Sequence, residues 1–246
     1  MVKKMKYGII TDIHGNTLAL KSILKKFEEL KVDKILCAGD IIGIGPEPEE
    51  TVKMISKLKD KIIAVRGNHE EYFLNELPSK TPDNDIPLSK EEIDCHLWGQ
   101  NQLSSSSEKF LNDLPEEIVI YDEGKKICIL HYPKDEKKTF KKSIQGPSVE
   151  QALDLFSNYD ADVFIYGHSH AKSLIVHQGK CYLNFGSLGC PKDTNIACAG
   201  VLYIDSQGVG FDMLDIEYDV EKTIKEIKRI KYPNYEKILE IFYGGR

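Results

Sequence analysis

Residues 7–40 read YGIITDIHGNTLALKSILKKFEELKVDKILCAGD, and the fold is decided there. YGII and KILCA are short apolar runs, and between them Leu20, Ile23, Leu24 and Phe27 recur at the i, i+3, i+4, i+7 spacing of one buried helical face. The spacing predicts a helix from about Thr17 with a strand on each side. Pro46 and Pro48 then punctuate a loop, a second helix carries Val52, Ile55 and Leu58, and KIIAVRG (61–67) is a third strand. Strands that are apolar throughout are covered on both faces. The order β-α-β-α-β therefore gives an α/β core.

Further along, the pattern changes. From about 71 to 115 the chain turns polar, with PSKTPDNDIP (78–87) as a loop. SKEE (89–92) has the form of a capping box opening a short helix with Ile93, Leu97 and Trp98. SSSSEKF (104–110) reads as another helix start, because Phe110, Leu111 and Leu114 follow. This region is expected to be a helical excursion packed on the same core. EIVIYDEGKKICIL (117–130) is a hairpin turning at Glu123-Gly124, followed by a helix near 148–158 and the strand DVFIY (162–166). Two more hairpins are expected, one turning at Gln178-Gly179 and one near Gln207-Gly208. A helix from about Asp219, with Val220, Ile224 and Ile227 inside, and a short one ending at Phe242 close the chain. Parallel units first and hairpins later imply two mixed sheets packed face to face with helices outside, in one domain over residues 1–246.

The bulk composition suits a soluble globular protein. Hydrophobic residues make up 41% and charged residues 29% of the 246 residues, and no apolar run approaches the ~18 residues of a membrane span. MVKKMKYGIITD is too short an apolar stretch for a secretory signal, so a cytoplasmic protein is expected. The net charge of −6 argues against a surface built to grip duplex nucleic acid. The 6 cysteines form no CxxC pair, and Cys37, Cys128 and Cys181 sit in apolar runs as small hydrophobes.

The unusual residues gather where the strands end. Asp12 and His14 follow YGII, Asp40 follows KILCA, Asn68 and His69 follow IIAVR, His131 follows ICIL, and His168 and His170 follow VFIY. Five of the 7 histidines occupy such positions; His96 and His177 lie elsewhere. Ligand sites of open α/β sheets lie outside the carboxyl ends of the strands. Imidazole and carboxylate together suit divalent metals such as Zn, Fe, Mn or Ni. Eight candidate side chains exceed the needs of one ion, whereas two ions sharing a carboxylate would use them.

In this order, D-x-H…G-D…G-N-H-E…H…G-H-x-H resembles the calcineurin-like metallophosphoesterase superfamily. LNFGSLGCPKD (183–193) and GDIIGIGPEP (39–48) are similar to segments of its compact prokaryotic branch, which includes phosphodiesterases, phosphomonoesterases and diadenosine tetraphosphatase-like hydrolases. The resemblance implies an α-β-β-α sandwich of four layers. It also implies two metal ions, with manganese the expected occupant and iron, nickel, zinc or magnesium as alternatives. Asp12, His14 and His170 would hold one ion, Asn68, His131 and His168 the other, and Asp40 both. His69 would face the substrate as the catalytic acid, and a hydroxide bridging the metals would attack phosphorus. Two departures concern substrate identity. The family often has H-G where this chain has His131-Tyr132, so a bulky ring is expected to reshape the mouth; it often has N-P-G-S where this chain has Asn184-Phe185-Gly186-Ser187.

Beside the motifs, Arg66 is read as either an ion-pair partner or a phosphate contact, and Asn16 as the cap of the first helix. Gly186 and Ser187 either offer backbone N–H groups to an anion or form a plain turn. PKDEKKTFKK (133–142) places Lys137, Lys138, Lys141 and Lys142 near the rim, where they either attract further phosphates or form a solvated loop. The expected partner is a small phosphorylated or nucleotide substrate, with no stable nucleic acid and no membrane. The rival readings are a DNA nuclease of the same superfamily and a non-catalytic scaffold like the retromer subunit that shares the fold.

Overall fold

The computed structural model describes residues 5–75, 77–80, 86–190 and 195–245. Residues 81–85 of the expected polar loop and the Pro191–Asp193 end of the LNFGSLGCPKD segment lie outside these. The opening units appear in the expected order: β1 (Met5–Ile10), α1 (Thr17–Glu29), β2 (Lys34–Cys37), α2 (Pro48–Ser56) and β3 (Ile62–Ala64). Helix α1 starts at Thr17 because the Asn16 side chain accepts the Ala19 N–H at 3.1 Å, as a helix cap does. Helix α2 starts at a proline whose missing N–H costs nothing there, followed by Glu49 and Glu50 on the positive end of the helix dipole. Leu58 falls just past the end of α2, and β3 spans only three residues.

Strands β1, β2 and β3 are parallel, with Tyr7 opposite Lys34 and Ile35 opposite Ile62. The long hairpin β9 (Ile196–Asp205) and β10 (Gly208–Glu217) adds to the other side of β1, giving the order β10-β9-β1-β2-β3. Its turn is Ser206-Gln207, one residue earlier than expected, because Asp205 pairs with Gly208. The second sheet has the order β4-β5-β6-β8-β7, from β4 (Glu117–Asp122), β5 (Lys125–Leu130), β6 (Val163–Ile165), β7 (Ser173–His177) and β8 (Lys180–Asn184). Here β5, β6 and β8 run parallel, and the hairpins turn at Glu123-Gly124 and Gln178-Gly179 as expected.

Alternation along the strands builds the layers. Tyr7, Ile9 and Leu36 of the first sheet meet Ile127, Ile129, Val163 and Ile165 of the second in a shared core. The opposite face of the first sheet, with Ile10, Ile35 and Cys37, packs against Leu20, Ile23 and Val52 of α1 and α2. It also meets Ile224 and Ile227 of α7 (Val220–Arg229), which Asp219 caps. The far face of the second sheet, with Cys128, Leu130 and Phe164, is covered by Ala152 and Leu155 of α6 (Val149–Leu155). The result is the expected four-layer sandwich of two mixed sheets flanked by helices.

The excursion is helical but begins earlier, with α3 (Asn68–Leu74), α4 (Lys90–Gln100) and α5 (Ser105–Asn112). Ser89 and Glu92 form the expected capping box on α4. That helix packs on the core with one side only: none of its described residues is fully buried, and Leu97 is 45% exposed. Only its Cys95 and Trp98 side lies against the core. Helix α8 (Tyr235–Phe242) ends the chain, and no described helix is long and apolar enough to cross a membrane.

Candidate metal centre and the cavity beside it

The parallel direction of β1, β2 and β3 in one sheet and of β5 and β6 in the other brings five strand ends to one edge of the sandwich. Contacts across the sheets fix them there. The His131 ring is 2.8 Å from the Ala38 carbonyl, and the His168 N–H donates to both carboxylate oxygens of Asp12 at 3.1 and 3.2 Å. Thr11 adds a hydroxyl on Asp12 at 2.8 Å, and the His69 N–H donates to Asp40 Oδ1 at 3.0 Å.

All eight strand-end residues come together, as two groups. In the first, His14 Nε2 and His170 Nε2 lie 2.9 Å apart, and Asp12 Oδ1 is 3.4 Å from His170 Nε2 and 3.9 Å from His14 Nε2. In the second, Asn68 Oδ1 lies 2.9 Å from His131 Nε2 and 2.8 Å from His168 Nδ1. Asp40 Oδ2 stands between them, 3.2 Å from His131 Nε2 and 3.8 Å from His14 Nε2. His69 packs edge-on to His14, with ring centroids 4.9 Å apart, and its Nδ1 has no hydrogen-bond partner.

The donor chemistry fits divalent cations. A carbonyl only accepts, so Nδ1 of His131 on Ala38 and Nδ1 of His14, 3.2 Å from the Ile42 carbonyl, carry the ring protons. Each neutral ring then turns a bare Nε2 lone pair inward, the usual orientation of a metal-binding imidazole held by an outer acceptor. With both rings neutral, lone pairs of nitrogen and oxygen converge from several directions with no hydrogen between them.

Electrostatics sharpen the picture. Burial would raise the Asp12 carboxyl, but His170 overrides it and holds Asp12 at about 2. Burial is likewise outweighed at Asp40, where His131 and His69 hold the carboxyl well below its ordinary range. Burial lowers His14 to about 4 and takes His69 well below its ordinary value. His131 is the exception: burial opposes its charge, yet the Asp40 carboxylate lifts it to about 9. A proton on His131 Nε2 therefore occupies the position a cation would take.

The backbone is strained at the same place. Asp12, His14, Asp40, His168 and His170 all have positive φ, between 49° and 71°. Non-glycine residues pay on the order of 1 kcal/mol each for this conformation and hold it only where surroundings over-determine it. Here the Asp40 carbonyl accepts the N–H groups of Ile13 and His14 at 2.8 and 3.0 Å, and the His131 carbonyl accepts that of Gly167 at 2.8 Å. Two glycines are required by close approach. A Cβ on Gly67 would sit 2.1 Å from Asp40 Oδ1, and one on Gly167 would sit 1.9 Å from Thr11 Oγ1.

Three supporting residues went unread in the sequence. Glu70 is fully buried in the first turn of α3 and accepts the N–H groups of Asp40, Ile42 and Gly67 at 2.9, 3.0 and 2.7 Å. Burial and then the Asp40 charge raise its carboxyl to about 7. Its signal was available, since a glutamate three residues into a helix is the acidic half of a capping box. His96, expected elsewhere, sits on α4 with its ring 5.2 Å from that of His69. Cys190 brings its thiol within 4.8 Å of the ligand atoms of His14 and His170, and burial pushes that thiol up.

Several expected substrate contacts are engaged otherwise. Arg66 bonds Glu116 at 2.9 Å in a cluster with Glu71 and Lys134, the ion-pair alternative. The backbone N–H groups of Gly186 and Ser187 do not face an anion, because the first donates to Asn184 Oδ1 at 2.9 Å and the second to the His170 carbonyl. Asn184 also holds the Gly167 carbonyl at 2.9 Å, which steadies the His168 loop. Tyr132 does not reshape a mouth: it is buried, its ring 4.9 Å from that of His168. Lys137 and Lys138 are exposed on a loop held by Asp135, and Lys141 caps the last carbonyls of α6. None of them lines the cavity of about 500 Å³ that opens beside Asn68, His69 and His168.

Comparison with known proteins agrees with this architecture. Residues 5–207 match the model of the calcineurin-like phosphoesterase superfamily domain. The protein MJ0912 of Methanocaldococcus jannaschii is 30% identical over 96% of both chains. Phosphodiesterase YfcE of Escherichia coli is 25% identical over 80% of this chain and 87% of its own. The crystal structure of a metallophosphoesterase from Sphaerobacter thermophilus superposes with a TM-score of 0.73 at 23% identity, covering 99% of this chain and 100% of that one, which shows the shared fold. With a domain match over most of its length and a relative spanning nearly all of it, the chain belongs to the calcineurin-like phosphoesterase superfamily.

Proposed function

We propose that the chain is a dinuclear metal-dependent phosphoesterase acting on phosphate esters or anhydrides of small molecules or nucleotides. The position of Asp40 carries this reading, because one carboxylate oxygen lies between the nitrogen of His131 at 3.2 Å and that of His14 at 3.8 Å. Asp12, His14 and His170 would hold one cation, Asn68, His131 and His168 the other, with Asp40 between. When bound, two divalent cations supply the positive charge that polarises a phosphoryl group and activates water.

The chain's own residues set the balance of that charge. Asp12 and Asp40 bring two negative charges against two dications, so an excess remains for an arriving anion. A carboxylate in place of Asn68 would cut that excess. His69 faces the cavity from the first turn of α3, tied to Asp40 through its backbone N–H. Burial keeps its imidazole neutral in the free protein. A phosphoryl anion alongside acts in the opposite direction and favours the protonated ring, which then gives its proton to the leaving oxygen. The E. coli relative's name as a phosphodiesterase supports ester cleavage. The net charge of −6 favours a small phosphorylated substrate over a stably bound nucleic acid.

The test is a turnover panel with metal-stripped protein reloaded with Mn²⁺. The panel contains p-nitrophenyl phosphate, its bis ester, cyclic nucleotides and diadenosine tetraphosphate. Metal-dependent hydrolysis is expected, slowed about 10²–10⁴-fold by His69→Ala with metal content unchanged. A protein that takes up manganese and cleaves nothing, or takes up none, refutes the reading.

A further inference from the structure

The cavity beside the candidate metal centre has two unlike ends. Asn68, His69 and His168 form one; the rest is walled by the helical excursion and the C-terminal helix. Rings dominate that part, with Tyr72 and Phe73 from α3, His96 from α4, Tyr232, and Phe242 from α8. Its charged groups are already satisfied. Glu92 bonds Ser89 across the capping box, and Lys237, the one lysine or arginine among the described lining residues, pairs with Glu240 at 2.9 Å. A second phosphate seated there would lose its hydration against Ile42, Ile44 and Ile241 with only Lys237, already paired with Glu240, to replace it, which is costly. A flat uncharged ring would lose nothing and would stack on the aromatic walls.

Gly99 adds an independent observation. On α4, residues 92, 95, 96 and 99 follow the i, i+3, i+4, i+7 spacing of one face, and all four line the cavity. A glycine inside a helix costs about 1 kcal/mol relative to alanine. A Cβ at Gly99 would meet nothing within 4 Å, so no neighbour requires the missing side chain. Its absence leaves cavity volume open.

We propose that this cavity seats one uncharged aromatic or heteroaromatic group esterified to the phosphoryl group at the metal centre. The substrate class is then the phosphate ester of a ring-bearing alcohol, not a polyphosphate. This inference rests on the reading of the centre as a phosphoesterase. In the reaction, water's oxygen forms the new bond to phosphorus, the bond to the alcohol oxygen breaks, and a proton ends on the alcohol. A volume of about 500 Å³ is in the range of small-ligand sites and holds one such group.

The experiment uses manganese-loaded protein and two non-hydrolysable probes, phenylphosphonate and methylphosphonate. Binding is followed by calorimetry and by the fluorescence of Trp98, the single tryptophan, whose ring packs 4.7 Å from that of the cavity residue Tyr232. Phenylphosphonate is expected to bind at least about tenfold more tightly, since burying a phenyl ring is worth more than 1.4 kcal/mol. Gly99→Phe should erase the preference, and Gly99→Leu should reduce it while keeping the helix intact. In turnover, Gly99→Phe should raise KM for phenyl phosphate about tenfold. Equal affinity for the two phosphonates, or a kcat/KM for diadenosine tetraphosphate that exceeds that for phenyl phosphate and ignores Gly99→Phe, overturns the inference. If the phenyl preference holds but neither phenyl phosphate nor diadenosine tetraphosphate is hydrolysed, the cavity assignment stands and the phosphoesterase reading falls instead.

Discussion

The strand-end floor of the site and the helical roof over its cavity are held in different ways. On the floor, Asp12, His14, Asp40 and His131 are buried, hydrogen-bonded and in several cases forced into positive φ. In the roof, α4 buries none of its described residues, and Leu97 and Ile241 are each 45% exposed. A cation cage needs tenths of an ångström, which only an over-determined backbone supplies. A surface that selects an organic group needs shape and apolarity, which exposed helices provide at little cost in stability. On the proposed reading, chemistry and selectivity are separated by how firmly each is built.

The largest effect that would break this contrast is loss of the shared carboxylate. Asp40→Ala is expected to lower metal-dependent turnover more than about 10³-fold and to reduce bound manganese, measured by elemental analysis of the purified protein. In the roof, Leu97→Ala should change turnover less than about twofold and stability by no more than about 0.5 kcal/mol. Comparable losses in the two variants would mean that roof and floor are one cooperative unit.

Glu70 tests whether the floor is held from beneath. Glu70→Ala strands three buried N–H groups, those of Asp40, Ile42 and Gly67, and should cost about 3 kcal/mol in urea unfolding. Metal content should fall with it, because the Asp40 backbone loses its anchor. A variant with native stability but depleted metal would show that Glu70 acts on the cage alone.

The two regions also differed in how readily the sequence revealed them. Asp12, His14, Asp40, Asn68, His131, His168 and His170 were legible because each directly follows an apolar strand, and strand ends are where parallel sheets place ligands. The order of elements and the turns at Glu123-Gly124 and Gln178-Gly179 were legible for local reasons of the same kind. His96 was not. Its place opposite His69 depends on how α4 folds back over the sheet edge, a long-range packing result that no spacing within 89–100 encodes. Tyr132 was misread for a related reason: an aromatic ring after His131 says nothing of whether it turns toward solvent or toward the α6 side of the second sheet.

The pH dependence of metal binding sharpens the account of the floor. His131, lifted to about 9 by Asp40, must give up its proton before a cation binds its Nε2. Apparent manganese affinity should therefore rise about tenfold per pH unit between pH 7 and 9 and then level off, read by titration against a metal indicator. The metal-free protein should behave oppositely. A histidine raised above its ordinary value stabilises the fold below that value, and the stabilisation is lost as pH rises through about 9. His14 and His69 lie lower, but Glu70 titrates near 7 and burial raises the thiols of Cys37 and Cys128 above their unfolded value, so the manganese affinity between pH 8 and 9, more than the stability, isolates His131. Urea stability of the stripped protein should fall across that window, and a flat profile in both measurements would remove the proton from His131.

The smallest effect is also the most direct comparison of the two regions, because the same glycine-to-alanine difference should have opposite signs in each. At His170, with φ of 56°, glycine fits and alanine is strained, so the metal-free His170→Gly variant should be about 1 kcal/mol more stable than His170→Ala. At Gly99, inside α4, the helix favours a side chain and no neighbour blocks it, so Gly99→Ala should be about 1 kcal/mol more stable than the parent protein. Both differences are within reach of urea unfolding curves recorded side by side. If alanine were favoured at both positions, the left-handed backbone at His170 would carry no strain, and the floor would be ordered by its hydrogen bonds alone. If glycine were favoured at both, the face of α4 toward the cavity would be held closed by contacts that a side chain disturbs, and the roof would be as tightly specified as the floor.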